Sequence, residues 1–448
     1  MNKLACILVC LFACSGSGGG GGDGGGGDDD GSSGGKLIPT GGVSDAPLVG
    51  TIHVYAVESG GATPIANASV HVGTLGGVTD SGGLLTLTDA SLTGKVTVTV
   101  TASGHAAATW IGVTGSNVTV PLETSPRAIP TAKASGTIAG WNSLPSLSFG
   151  HYHLAVILYS FLDDPSAPEN SLVQPTVNNA PADTCIDSTG DTACAWSLVT
   201  RIGQQIHTAV ILDGDSKLTA NDASDDTYTL IGYAAGSEMT MTANQNLMGE
   251  SLAMVPASTQ LAFTFPPTTG GLGTTLAIPE LQLDSGAGRI VMPLPTVNPG
   301  HATDKLIAAT GSFAGHYEVV ALATPSGTAT TPFSTGFVHN ASGTATIPAW
   351  LAVPTAVTGG TTFMFGGTSP FVTAQVSRTK QPLWDVTIPD GSTSFTLPTI
   401  TPDPIGAGAA DFAVTLTDAP SFDPGHFDVG STTVGLARAA GAQASFTR

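Results

Sequence analysis

The side chains best suited to chemistry gather between residues 151 and 226. Cys185 and Cys194 flank the polar stretch Asp187-Ser188-Thr189-Gly190-Asp191. Two thiols this close can form a disulfide, which over so short a loop stabilises by roughly 2–3 kcal/mol if unstrained. They can also ligate a metal, but zinc takes four ligands and no second cysteine pair stands nearby. The disulfide is therefore the expected state. Asp213, Asp215, Asp222, Asp225 and Asp226 crowd the next loop together with Asn221. Oxygen ligands at this density can hold calcium. Lys217 and Leu218 stand where an EF-hand needs a further ligand and its glycine. The loop is read either as an irregular calcium site or as a solvated acidic loop, the commoner outcome. His151 and His153 are two apart and share one face of a strand. Two imidazoles can begin a metal site, but no third ligand is evident from the sequence, which favours a structural role.

Enzyme motifs are missing. There is no His-Glu-x-x-His and no His-x-x-Glu, the usual spacing of zinc peptidase ligands. No Gly-x-Ser-x-Gly or Gly-x-Gly-x-x-Gly falls between a strand and a helix, and there is no P-loop. The expectation is a non-enzymatic protein that binds or displays. The runner-up is a carbohydrate binder, with Trp110, Trp141, Trp196, Trp350 and Trp384 as candidates for stacking on sugar rings. An unrecognised hydrolase with a dispersed site comes third.

The elements that must position these residues follow from composition. Of 448 residues, 13 are Lys or Arg, 33 are Asp or Glu and 58 are Gly. The charged fraction is 10%, against about 25% in an ordinary globular protein. Long amphipathic helices need charged residues on their wet face, so an all-β chain is expected. The net charge of −20 argues against binding nucleic acid by neutralising phosphates. It argues equally against docking on anionic lipid through basic residues.

The first residues read as an address. Met1-Asn2-Lys3 is followed by an apolar run of ten residues, Leu4 to Ala13, too short to span a bilayer as a helix but suited to a signal peptide. The run ends Leu11-Phe12-Ala13-Cys14, which resembles the lipobox of bacterial lipoproteins. Phe12 is bulkier than that pattern prefers. The resemblance implies removal of residues 1–13, lipid on Cys14 and attachment to a membrane of the cell envelope. Ser15, the residue after the cysteine, implies sorting to the outer membrane. Residues 14–45 are rich in Gly and Asp and are expected to be a flexible tether with a reach of roughly 30 Å.

From residue 46 to 125 the chain alternates with period two, most strictly in Lys95-Val96-Thr97-Val98-Thr99-Val100-Thr101, with Val expected inward and Thr outward. Pro64-Ile65-Ala66-Asn67-Ala68-Ser69-Val70 precedes a turn at Thr79-Asp80-Ser81-Gly82-Gly83, and the unit closes Ala102-Ser103-Gly104-His105. This order resembles the carboxypeptidase regulatory-like domain. The resemblance implies a transthyretin-like β-sandwich with no catalytic residue. Asn67 replaces a glycine of that pattern but still tolerates a left-handed backbone, and His105 replaces its tyrosine. The remainder divides into two further β-rich modules, 126–299 and 300–448, giving tandem transthyretin-like or immunoglobulin-like sandwiches. Two short patterns recur. Leu294-Pro295-Thr296 is matched by Leu397-Pro398-Thr399, and Gly-His-aromatic stands at Gly150-His151-Tyr152, Gly315-His316-Tyr317 and Gly425-His426-Phe427. The unequal spacings exclude a regular solenoid. Leu154 to Tyr159 is a continuous apolar run, expected as a strand buried on both faces.

Overall fold

The computed structural model describes residues 36–59, 63–126, 130–160, 194–218, 227–255, 257–268, 270–285, 287–291, 303–309, 315–325, 331–418, 420, 422–434 and 436–448. The fold is all-β, built of packed sheets, as the composition requires. Its one α-helix among the described residues, Val429–Val434, has 6 residues. No helix among them is long and apolar enough to cross a membrane.

The N-terminal sandwich packs two sheets. One runs in the order Phe427–Asp428, Gly42–Pro47, Gly115–Leu122, Val49–Glu58 and Leu84–Thr93. The other face is made by Leu75–Val78, Ser69–Val72, Val96–Thr101 and Ala107–Val113. Ile52, Val54, Val118 and Val120 of the first meet Val70, Val98, Val100 and Trp110 of the second in one core. Local turns follow the sequence. Asp80 Oδ1 accepts from the amides of Gly82 and Leu84 at 2.8 and 3.0 Å, and Asn67 sits at φ 59°. Gly42–Pro47 is a strand that reaches into the stretch read as tether. Thr119 Oγ1 accepts from the Ile38 amide at 3.0 Å, and Asn117 Nδ2 donates to Ser44 Oγ at 2.8 Å, so side chains of the sandwich dock this segment.

The second sheet of that sandwich does not stop at its own edge. It is the end of a twelve-stranded sheet, which continues from Ala107–Val113 through Gln381–Ile388, Phe371–Arg378, Ala409–Asp418, Arg438–Thr447, Phe333–Val338, Gly315–Pro325, Leu272–Leu283 and Arg289–Val291. All three expected modules contribute strands. The join at Ala107–Val113 is parallel, with Trp384 opposite Ala107 and Thr387 opposite Trp110. This changes the expected facing of the Val/Thr strand. Val98 and Val100 are buried as expected, but so is Thr99 at 2% exposure. The face expected to meet water is covered, because Thr99 Oγ1 bonds Thr109 Oγ1 at 3.0 Å and Thr109 accepts from Trp384 Nε1 at 2.9 Å. Trp384 in turn belongs to a core with Phe363, Phe395 and Phe412.

A six-stranded sheet occupies the middle of the chain, in the order His151–Tyr159, His207–Asp215, Thr227–Ala235, Asn246–Val255, Thr131–Ile138 and Cys194–Arg201. The run from Ala155 to Tyr159 is buried on both faces, with Leu154 half-buried at its start. Ala155, Ile157 and Tyr159 join a core with Trp141 and Trp196. Val156 and Leu158 join another with Leu261, Phe263 and Val319, which ties this sheet to the large one.

Candidate functional site

The residues singled out in the sequence do not converge. Cys14 and Cys185 lie outside the described residues, as do Asp222, Asp225 and Asp226. Cys194 opens a strand and is fully buried in the core with Trp196 and Leu198. Asp213 and Asp215 stand on the strand paired with His151–Tyr159, opposite His153 and His151 respectively. They are already engaged. Asp213 Oδ1 bonds His151 Nδ1 at 2.8 Å. Asp215 accepts from the Lys217 amide at 2.9 Å and pairs with its Nζ. Those hydrogen bonds, with the lysine's charge, hold the Asp215 carboxyl below the usual carboxylate range. His153 is buried with its ring edge-on to Trp141 at 5.9 Å. Among the described residues, no group of three or more His, Cys, Asp or Glu is placed to hold a metal ion.

Among the described residues, a dense set of titratable groups lies elsewhere, around Arg289. Strand register builds it. Glu280 stands opposite Val291 on one side and Glu318 on the other, while Gln282 stands opposite Arg289 and His316. Period two then puts all these polar residues on one face. Two carboxylates directly opposite would repel, and Arg289 bridges them. Its Nη1 lies 3.1 Å from Glu280 Oε2, its Nη2 3.3 Å from Glu318 Oε2, and its Nε donates to Gln282 Oε1 at 2.8 Å. Just beyond the next strand, His339 Nδ1 lies 3.2 Å from Glu318 Oε1 and its Nε2 2.9 Å from the Leu436 carbonyl oxygen. His316 Nε2 is 3.6 Å from the same Glu318 oxygen.

Electrostatics splits the two glutamates. Burial pushes the Glu280 carboxyl up, against the pull of Arg289. For Glu318 burial pushes the same way, but the His339 hydrogen bond and the charge of Arg289 outweigh it and hold the carboxyl low. The Glu318 hydrogen bond raises His339 above its ordinary value, against partial burial. A carboxyl pair pushed apart in this way is the usual arrangement of a general acid and base. Here, however, Glu280 is 1% exposed and both carboxylates are engaged by Arg289. The guanidinium thus occupies an oxygen of each carboxylate. Only His316 reached the sequence reading, through its Gly-His-aromatic pattern. Glu280, Arg289 and Glu318 come from separate strands and His339 from the turn after another, so no local spacing links them. The available signal was scarcity: in a chain with 13 Lys and Arg, an arginine inside a strand asks for a partner.

A second buried pair joins His207 Nδ1 to Glu250 Oε2 at 2.6 Å, with side-chain exposures of 0% and 8%. Glycine allows the approach. A Cβ at Gly136 would lie 1.8 Å from the Glu250 carbonyl oxygen, and one at Gly236 would lie 2.1 Å from Glu250 Oε1. The Trp196 ring packs against His207 at 5.8 Å. All five tryptophans are buried, none more than 9% exposed. Trp350 donates to the Pro266 carbonyl and Trp384 to Thr109. They build cores and leave no tryptophan face for a sugar ring.

No family model matches this chain, and no curated protein matches its sequence. Solved structures to which it is similar include the Bacillus anthracis TIE protein, at 9% identity and a TM-score of 0.15, over 67% of this chain and 50% of that one. The chain thus spans half the length of that protein. BcpA, the major pilin subunit of Bacillus cereus, is similar at 8% identity and a TM-score of 0.16, over 61% of this chain and 88% of that one. The Corynebacterium diphtheriae major pilin SpaA is similar at 11% identity and a TM-score of 0.12, over 76% of this chain and 98% of that one. At such scores the all-β assignment rests on the chain's own strand pairing.

Proposed function

We propose that this chain is a lipid-anchored protein of the bacterial cell envelope, serving non-enzymatic binding or structural display through its β-sandwiches. Cys14 carries the lipid in this reading, and Ser15 directs the protein to the outer membrane. Each buried CH₂ of an acyl chain contributes about 0.8 kcal/mol, so several chains hold firmly where one does not. The observation that carries the display role is the twelve-stranded sheet, which links strands from residue 69 to residue 447 in one hydrogen-bonded ladder. A load applied at one end is then shared by backbone hydrogen bonds across the whole body. The partner is a glycan or another envelope protein, and not nucleic acid. No cofactor enters the reading, and calcium on the Asp213–Asp226 loop is no part of it. Export to an oxidising compartment supports a disulfide between Cys185 and Cys194.

Burial of all five tryptophans counts against a carbohydrate-binding site that stacks sugar rings on tryptophan, and the engagement of Glu280 and Glu318 by Arg289 counts against a hydrolase built on that pair. A screen of residues 36–448 against glycans, cell-wall fragments and envelope proteins tests the proposal. Saturable binding without turnover is expected. Turnover of a glycan or peptide that Glu318→Gln abolishes would overturn it.

A further inference from the structure

The position of His339 has a consequence beyond charge balance. Both of its ring nitrogens face acceptors: a Glu318 carboxylate oxygen at Nδ1 and the Leu436 carbonyl oxygen at Nε2. A neutral imidazole carries one N–H donor and presents a lone pair at the other nitrogen. It can satisfy one of these oxygens and must turn a lone pair toward the other. The imidazolium satisfies both.

The Leu436 carbonyl belongs to a strap that connects two cores. Phe427, on the upstream part of the strap, packs in the N-terminal sandwich and stacks on Trp110 at 5.6 Å. Leu436, on the downstream part, packs with Val320, Phe337 and Ala439. The strap is otherwise pinned by backbone bonds, from Phe337 N to the Ala437 oxygen at 3.0 Å and from Ala437 N to the Asp418 oxygen at 3.1 Å. It then enters Arg438–Thr447, an inner strand of the large sheet. We propose that His339 is a pH-sensitive latch: as an imidazolium it ties this strap to Glu318, and loss of its second proton releases the tie.

The charges around the ring set the working range. Glu318 bonds the ring from Gly315–Pro325, and the charge of Arg289 on the edge strand opposes its protonation; one step further out, His316 contacts the same Glu318 oxygen and Glu280 is held by Arg289. Asp284 lies 3.9 Å from His316 Nδ1, and Arg438 on the strap side is taken up by Asp418. The hydrogen bond that His339 donates to Glu318 favours the charged ring, so His339 keeps its second proton above the ordinary value of 6.5. A histidine held charged in the fold contributes stability below its unfolded pKa and loses it as pH rises through the folded one. Glu318, held low, contributes above its ordinary value of 4.5 and loses that contribution in acid. The latch is closed between those two limits and opens on either side.

The test uses the full chain with ¹⁵N-labelled histidine, the His339 signals being assigned from the spectrum of His339→Gln. Both His339 ring nitrogens are expected to be protonated at pH 6, and the second proton should leave only above the ordinary value of 6.5. As the second proton leaves at higher pH, hydrogen-exchange protection of the Phe337 and Ala437 amides, corrected for intrinsic rate, should fall about tenfold, in line with losing one charge-assisted hydrogen bond. In His339→Gln that step should vanish. A neutral single tautomer of His339 at pH 6 would overturn the proposal even if the variant does not fold. So would a protection step that persists in a folded His339→Gln.

Discussion

Thr109 stands where the N-terminal sandwich meets the rest of the molecule, and replacing it with Val should weaken that seam at almost unchanged shape. Its hydroxyl accepts from Trp384 Nε1 at 2.9 Å and bonds Thr99 Oγ1 at 3.0 Å, with Thr109 and Trp384 both fully buried. Val fills the same space, so no cavity term enters. What remains is an indole N–H and a Thr99 hydroxyl without partners in a low-dielectric interior. A buried polar group left unsatisfied costs about 1–3 kcal/mol, so Thr109→Val should lose roughly 2–4 kcal/mol once Thr99 is included. Against a total of about 5–15 kcal/mol for a typical domain, that is a large fraction. Urea unfolding followed by tryptophan fluorescence measures it, because Trp384 itself reports on the seam. Thr88→Val is the control, since Thr88 bonds Thr51 at 3.2 Å on an exposed face and should change stability by less than about 0.5 kcal/mol. If the two variants behave alike, the indole has no partner at Thr109 and the seam is not built as described.

Three other outcomes follow from the same geometry. In Val96–Thr101, Val98→Asp and Thr99→Asp should both abolish the cooperative melt, because both faces are covered there, while the half-buried Thr97 should accept Asp better; circular dichroism melts of the three variants decide it. Arg289→Met leaves Glu280 as an uncompensated buried carboxylate, at a cost of roughly 3–5 kcal/mol at neutral pH. That loss should shrink as pH falls, because a protonated Glu280 no longer needs the guanidinium; a deficit that does not vary with pH in denaturant titrations would contradict the pairing. Non-reducing mass spectrometry of the exported protein should find Cys185 joined to Cys194, and free thiols at both positions would refute the bridge.

Much of the local structure was legible in the sequence. Alternation marked the strands around Val49–Glu58 and Val96–Thr101, the Asp80 turn formed as its residues dictate, and the apolar run to Tyr159 is buried on both faces. The recurrent Gly-His-aromatic pattern turned out to mark strand starts, with His151 opening one strand, His316 second in another and His426 just ahead of Phe427–Asp428. Long-range pairing was not legible. Nothing near Ala107–Val113 announces a parallel partner at Gln381–Ile388, because each strand's pattern records which face is apolar and not which edge is occupied. For the same reason Thr99 read as solvent-facing. The Arg289 cluster stayed hidden because its members share a sheet face only once four separate segments are in register.

Anchoring by lipid is the claim on which the proposed role depends most, and fractionation of cells producing the Cys14→Ser variant tests it most directly. The unaltered protein should sediment with membranes and resist extraction by high salt, whereas Cys14→Ser should appear in the soluble fraction. Retention of the variant in membranes at high salt would contradict the account.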